Sequence, residues 1–378
     1  MEENSAQPRK TPLFDAHRAL GAKMIDFGGW MMPVQYATGI IDEHQTTRRA
    51  VGLFDVCHMG EVHFKGPRAT DAVQRLVTGN VAGLPNDHAA YMVACYPDGG
   101  IVDDLIVYRI DRDHILIVVN AANVTKDVAW FRDNVGTWCD VVDASDDTGL
   151  LAFQGPQAEK ALQPLTEAPL ATLKHHQFHL IATVAGIPVS IARSGYTAED
   201  GFELFCNTAH VPMLWAALLE AAAGVGGKPV GLGARDTLRL EGRLSLYGND
   251  LTNLTTPIEA GLGWVVKFEA GEFIGKQALL KQRSEGPTRK LAGFVMVGRG
   301  IARHGYPIVD EAGNRIGEVT SGSPGPTVGK NIGLGYVPAA KAEAGTKLLI
   351  DCRGKLIEAE VVKGAFYRRP STSTERKP

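Results

Sequence analysis

A chain of 378 residues has room for about two to three domains, and 44% hydrophobic with 21% charged residues is ordinary for a soluble globular protein. The net charge of −3, from 39 basic and 42 acidic residues, argues against nucleic acid as the main partner. The five scattered cysteines, with no Cys-x-x-Cys pair, fit neither a disulfide framework nor a zinc ribbon.

The polar, acidic start Met1-Glu2-Glu3-Asn4-Ser5 lacks both the apolar core of a secretory signal and the acid-poor character of a transit peptide. The longest apolar run, 211–227, is broken by Glu220 and several glycines and is too short to span a membrane. A cytoplasmic location is therefore expected. Residues 1–10 read as a disordered tail. An amphipathic helix is expected over 12–23, followed by a Gly-rich apolar turn, Phe27-Gly28-Gly29-Trp30-Met31-Met32-Pro33. A second helix is expected over 40–50, with Glu43, His44, Arg48 and Arg49 on polar faces. A strand follows at 61–64.

Phe64-Lys65-Gly66-Pro67-Arg68-Ala69 is echoed by Phe153-Gln154-Gly155-Pro156-Gln157-Ala158. Both copies end a strand, turn at Gly-Pro and open a helix, over 69–76 and 158–165. Two such units imply two similar α+β lobes. Between them, strands at 90–95, 101–110 and 114–119 have connections too short for helical crossovers, so they pair antiparallel. A helix then runs from Asn120-Ala121-Ala122-Asn123 to about 134. Strands at 177–183, 189–194 and 202–206 precede a helix over 211–223, and another helix follows Gly231-Leu232-Gly233-Ala234-Arg235-Asp236. The polar Gly/Pro stretch 282–287 is the expected boundary, giving a bilobal region 1–281 and a C-terminal domain 282–378. Six short strands beyond it, at 291–297, 306–309, 315–321, 332–337, 347–351 and 355–362, suggest a small β-barrel or sandwich. Residues 368–378 read as a frayed tail.

Several tempting motifs fail on spacing. The Gly-Lys pairs at 271–276 and 325–330 lack the P-loop interval and a Ser or Thr after the Lys, and the glycines at 224–233 are not a dinucleotide fingerprint. His175-His176-Gln177-Phe178-His179 has no carboxylate at zincin spacing. Cys57-His58 has no third group to orient a nucleophilic pair.

The stretch Gly99-Gly100-Ile101-Val102-Asp103-Asp104-Leu105-Ile106-Val107-Tyr108 is richer. As a strand it places Ile101, Asp103, Leu105 and Val107 on one face and Val102, Asp104, Ile106 and Tyr108 on the other. Each face carries one acid among apolar neighbours, so the two cannot share a pocket. Either the strand ends at solvent there, or one carboxylate faces a cavity. Glu203 shares a strand face with Phe205 and suits a flat heterocycle offering two N–H donors. Arg235, just before a helix, reads as an ion-pair partner or an anion clamp.

These motifs coincide with Thr11-Pro12-Leu13-Phe14, Asp26-Phe27-Gly28-Gly29-Trp30, Gly52-Leu53-Phe54-Asp55-Val56-Cys57-His58-Met59-Gly60, Val119-Asn120-Ala121-Ala122-Asn123, Gly195-Tyr196-Thr197 and Gly261-Leu262-Gly263-Trp264. In this order they resemble the aminomethyltransferase (T-protein) family of the glycine cleavage system, over about residues 11–367. Cys57 stands where the family usually has Ser, and Ala198 where it usually has Gly. The resemblance implies two α+β lobes and a C-terminal β-barrel in a cloverleaf around a central folate channel. It implies transfer of an aminomethyl carbon from the dihydrolipoyl arm of the H-protein to tetrahydrofolate, giving 5,10-methylenetetrahydrofolate and ammonia, with no metal. It assigns catalysis to Asp104, beside the reacting carbon, with Asp103 as its structural partner. Folate contacts fall to Glu203, Tyr196, Arg235, Asn120, Tyr91 and Met59, with Tyr367 and Arg368 covering the mouth. A monomer meeting its lipoylated carrier transiently is the family expectation. A folate-dependent demethylase on the same fold is the alternative. So is a non-enzymatic folate-binding iron–sulfur assembly factor, but its Lys-Gly-Cys-Tyr-x-Gly-Gln-Glu signature finds no cysteine in Ser194-Gly195-Tyr196-Thr197-Ala198-Glu199-Asp200.

Overall fold

The strand Ile101–Arg109 lies inside a five-stranded sheet ordered His88–Cys95, Ile101–Arg109, His114–Val119, Gly60–Lys65, Asp140–Asp143, with its pairings antiparallel as the short connections require. The computed structural model describes residues 7–370, so the expected tails at 1–6 and 371–378 lie outside the described residues. Val62, Phe64, Leu105, Val107 and Ile117 turn toward helices Ala69–Leu76 and Val124–Val135 and build the core of this first lobe with Leu76 and Phe131. Alternate residues turn the other way, as strand geometry demands. A bulge opposite Ala94 and Cys95 inserts one residue before Asp103. Val102 thereby joins the core of Leu105 and Val107, while Ile101 packs in a separate cluster with Phe273 and Leu279. The simple alternation expected for 101–108 therefore holds only from Asp103 onward.

The second lobe has a six-stranded sheet ordered Phe178–Val184, Ile187–Ala192, Gly201–Asn207, Thr148–Gln154, Gly52–Asp55, Lys228–Pro229. Gly52–Asp55 belongs here, so the chain begins in this lobe, crosses to build the first, and returns at Thr148–Gln154. Helices Ala158–Leu162 and Val211–Ala223 close its outer face, the second bringing Leu214 and Leu218 into the cluster of Phe153, Phe202 and Leu204. The two Gly-Pro units are structural equivalents: Gly66 and Gly155 have φ of +126° and +136°, and each leads from a strand into a helix. The second helix ends earlier than expected, because Gln163–Leu165 tightens into a 3₁₀ turn containing Pro164.

Other expectations are corrected. The helix expected over 12–23 is confined to Phe14–Ala19, and Lys23–Phe27 pairs with Trp30–Gln35 as a hairpin. The turn is only Gly28-Gly29, at φ +59° and +84°, so Trp30 to Pro33 are strand rather than turn. Arg9–Lys10, read as tail, pairs parallel with Trp30 and Met31. Helix Ile40–Arg49 forms, yet Glu43 and His44 are fully buried and Arg48 is only 8% exposed. Their partners are distant in sequence. Glu43 accepts from the main-chain N–H groups of Tyr36 and Gly231, at 2.6 and 2.8 Å.

The C-terminal strands Arg289–Met296, Pro307–Val309, Arg315–Gly325, Lys330–Pro338, Lys347–Asp351 and Leu356–Val362 close into a barrel around Phe294, Ile308, Val319, Leu348 and Ile350. Helix Lys276–Glu285 runs across the division expected at 282, and the first barrel strand starts at Arg289. A buried polar junction ties the barrel to the lobes. Glu241 accepts from the Thr327 main-chain N–H at 2.7 Å and from Arg48 Nη2 at 2.9 Å, and lies 3.2 Å from His44 Nε2. Arg48 also donates to the Thr197 carbonyl at 2.6 Å and to Glu199 at 3.0 Å. No helix among the described residues is long and apolar enough to cross a membrane.

Candidate active site

The lobes press their sheets together, and the faces left free by the two cores meet. Val118 and Tyr108 from the first lobe pack on Leu150, Ala152, Phe178 and Phe205 from the second. At one end this interface opens into a cavity of about 120 Å³ lined by Met59, Tyr91, Asp104, Ile106, Tyr108, Asn120, Tyr196, Glu203 and Arg235. Strand parity explains the set. Asp104, Ile106 and Tyr108 alternate along one strand, and Leu150, Ala152 and Gln154 alternate along the strand facing them. A second cavity of about 550 Å³ shares Tyr91, Asp104, Ser194, Gly195, Tyr196 and Ser245 with the first and continues past Trp264 to Leu334, Gly364 and Ala365 at the barrel. Asp104 stands where the two meet.

Asp104 is held from two sides. The Tyr91 hydroxyl donates to Oδ2 at 3.0 Å, and the Asn120 side-chain amide donates to Oδ1 at 2.9 Å. Burial, then the charge of Asp103, push the Asp104 carboxyl up to about 7, against the lowering effect of those two donors. Such a group accepts or releases a proton near neutrality. Asp103 is fully buried on the opposite face. It accepts from Asn120 N at 3.0 Å, Asn120 Nδ2 at 2.8 Å and Asn123 Nδ2 at 2.7 Å. The two acids thus occupy different faces, as parity requires, but Asn120 bridges them and their charges interact.

Glu203 forms the opposite wall. Tyr108 donates to its Oε2 at 3.3 Å, and Ser194 hydrogen-bonds it as well. Burial raises this carboxyl, while Ser194, Tyr108 and Arg235 pull the other way. Arg235 lies inside helix Leu232–Glu241 rather than before it. Its guanidinium lies 4.6 Å from the Tyr196 ring centroid, and burial lowers its pKa. Tyr196 is anchored through its hydroxyl to the Ser245 carbonyl.

Tyr367 and Arg368 line neither cavity. The Tyr367 hydroxyl donates to Glu199 at 2.7 Å, its ring lies 3.9 Å from the Arg48 guanidinium carbon, and its N–H donates to the Glu241 carbonyl at 2.8 Å. Gly364 and Ala365, just upstream, are the tail residues that reach a cavity. Next to Arg368, Arg369 pairs with Asp200 at 3.3 Å, so this part of the expected frayed tail is tied down. The cysteine–histidine pair is no nucleophile. The Cys57 thiol is buried and donates to the Leu150 carbonyl at 3.3 Å, and His58 faces Phe27. Among the described residues no three His, Cys, Asp or Glu side chains are placed to hold a metal ion.

Sequence reasoning missed three contributors. Tyr108 was on the Asp104 face by parity, which was its available signal. Gln154 pins the Gly195 turn, donating to the Ser194 carbonyl at 2.9 Å and accepting from the Thr197 hydroxyl at 2.9 Å. Arg239 is almost fully buried and binds Asp250 at 2.6 Å, the Leu244 carbonyl at 3.1 Å and Ser321 at 2.8 Å, fixing the loop that carries Ser245. Nothing local in the sequence marks it.

The chain matches the GCVT N-terminal domain over residues 13–270 and the glycine cleavage T-protein C-terminal barrel domain over 289–368. It is 51% identical over 358 residues to an aminomethyltransferase of Halothermothrix orenii, covering 95% of this chain and 99% of that one. It is 49% identical to an aminomethyltransferase of Desulforamulus reducens over 96% of this chain and 98% of that one. The crystal structure of the glycine cleavage system aminomethyltransferase T from Bartonella henselae superposes with a TM-score of 0.88 at 36% identity, covering 95% of this chain and 98% of that chain.

Proposed function

The chain belongs to the glycine cleavage T-protein family of aminomethyltransferases, and from that premise we propose that it moves the aminomethyl carbon of the lipoylated H-protein to tetrahydrofolate. The products are 5,10-methylenetetrahydrofolate, ammonia and the dihydrolipoyl arm. The observation that carries this reading is the place of Asp104: a half-buried carboxyl at the junction of two cavities, facing a second half-buried carboxyl, Glu203, across the inner one.

Tetrahydrofolate supplies the two nitrogens that take up the carbon. The residues fit its flat, donor-rich end: Glu203 is a half-buried acceptor among aromatics, and Tyr196 and Arg235 form a stacked wall beside it. Met59 adds apolar lining. Asp104, oriented by Tyr91 and Asn120, faces the reacting carbon, where its carboxylate orients the attacking amine and stabilises positive charge developing on the carbon. Its position near neutrality suits it to handle the proton that leaves the amine. Asp103 keeps Asn120 in place through two hydrogen bonds and accepts a third from Asn123. The outer cavity gives the arm of the carrier its approach to Asp104. Tyr367, outside both cavities, supports the mouth through Glu199 and Arg48.

The test is to supply aminomethylated H-protein with and without tetrahydrofolate and measure ammonia. Folate-dependent release supports the proposal. Silence there, with folate-dependent demethylation of a methylated sulfur or amine, would replace it.

A further inference from the structure

The interface between the lobes opens a second time, at its other end. A separate cavity of about 440 Å³ is lined by Glu61, His63 and Leu116 from the first lobe and Phe178, Phe205 and Asn207 from the second. Tyr108 borders it as well as the active-site cavity. Its ring packs edge-on against Phe178 and Phe205, each at 5.5 Å, and these three rings divide the two spaces.

Glu61 is the unusual member. Val62 and Phe64 turn into the first lobe's core, so Glu61 and His63 face the interface. Glu61 is 1% exposed, and neither carboxylate oxygen has a hydrogen-bond partner. A buried carboxyl left this way is costly, and most such groups are satisfied. Its main chain is fully used, pairing with Val118 and bonding Ser145 and Ala144, so the strand is well fixed and the side chain has no local reason to lack a partner. Burial and the charge of Asp143 raise its pKa well above the ordinary value, a shift that a cation held against the carboxylate reverses.

The rest of the lining decides what a partner would be. Asp147 adds a second acid, no lysine or arginine lines the space among the described residues, and the walls are aromatic and aliphatic. Ile181, 90% exposed, and Leu180, 39% exposed, form an apolar lip. Acid at the base, aromatic faces around it and an apolar mouth are complementary to an organic ammonium carried on an apolar body. We propose that this cavity is a second small-molecule site, distinct from the active site, that binds a primary amine with its ammonium on Glu61.

The probe is 2-phenylethylamine, titrated calorimetrically into the full chain, with 2-phenylethanol as its neutral counterpart. Saturable binding of the amine is expected, roughly tenfold or more tighter than the alcohol and weakened by about the same factor in Glu61→Gln, the loss of one hydrogen bond to a charged group. Glu203→Gln should leave it unchanged. Leu116→Trp, which fills the space without touching the acid, should abolish it and covers the case in which Glu61→Gln does not fold. Absence of binding, equal binding by amine and alcohol, or binding lost with Glu203→Gln but kept in Leu116→Trp would overturn the proposal.

Discussion

The Asn120 side chain and Asp104 are joined twice: the amide nitrogen lies 2.9 Å from Oδ1 and 2.9 Å from the main-chain oxygen of the same residue. Because this donor favours the charged carboxylate, removing it raises the Asp104 pKa further. In Asn120→Ala the acidic limb of kcat against pH should therefore move up from near 7 by roughly one unit, the size of one hydrogen bond to a charged group. A limb that stays put or moves down would separate Asn120 from the titration of Asp104.

Glu203 is predicted to act on binding. Glu203→Gln replaces an acceptor with an amide and should weaken tetrahydrofolate binding by about tenfold or more, read by calorimetry, with KM rising more than kcat falls. Tyr108→Phe, which removes only the 3.3 Å hydroxyl donor to Glu203, should produce a smaller effect in the same direction.

The Glu241 junction predicts acid sensitivity. Burial acts to raise this carboxyl, but hydrogen bonding and charge from His44, with donors at Thr327, outweigh it and bring it down to about 2. A depressed folded pKa gives stability that is present above the unfolded value of about 4.3 and is lost as pH falls from there through the folded value. Urea unfolding should thus show a drop between pH 4 and 2 that is diminished in Glu241→Gln. At pH 7 the same variant should lose about 1–3 kcal/mol, since Arg48 loses one of its two buried carboxylate partners and keeps Glu199.

The Gly-Pro turn gives a backbone test. Gly155 has φ +136°, and an added Cβ would lie 2.3 Å from the Ala50 carbonyl oxygen. Gly155→Ala should destabilise by about 2 kcal/mol or more through strain and overlap together. Gly186→Ala, at φ +78° with nothing within 4 Å, should cost only about 1 kcal/mol. Comparable thermal unfolding of the two would contradict the packing of the first turn.

What was legible in the sequence was what local periodicity controls. Alternation placed Asp104, Ile106 and Tyr108 together, short connections gave the antiparallel first lobe, and regular turn spacing gave six barrel strands. The bulge at Val102 escaped because it depends on the partner strand. Helix Ile40–Arg49 is legible, with Glu43, His44 and Arg48 on polar faces, but their burial is not. Helical spacing cannot reveal that Arg48 meets Glu241 and His44 meets Thr327, residues brought near only by the folded lobes and barrel. Arg239 escaped for the same reason. The cavity itself was not visible to periodicity at all, since it lies between sheets whose strands interleave along the chain.

The most direct test of the account separates binding from turnover at Asp104. Asp104→Asn keeps the shape and the Glu203 wall, so tetrahydrofolate should bind within about threefold of the parent while kcat for folate-dependent ammonia release falls by about 100-fold or more. Turnover equal to that of the parent, or loss of activity explained wholly by lost folate binding, would contradict the role given to Asp104.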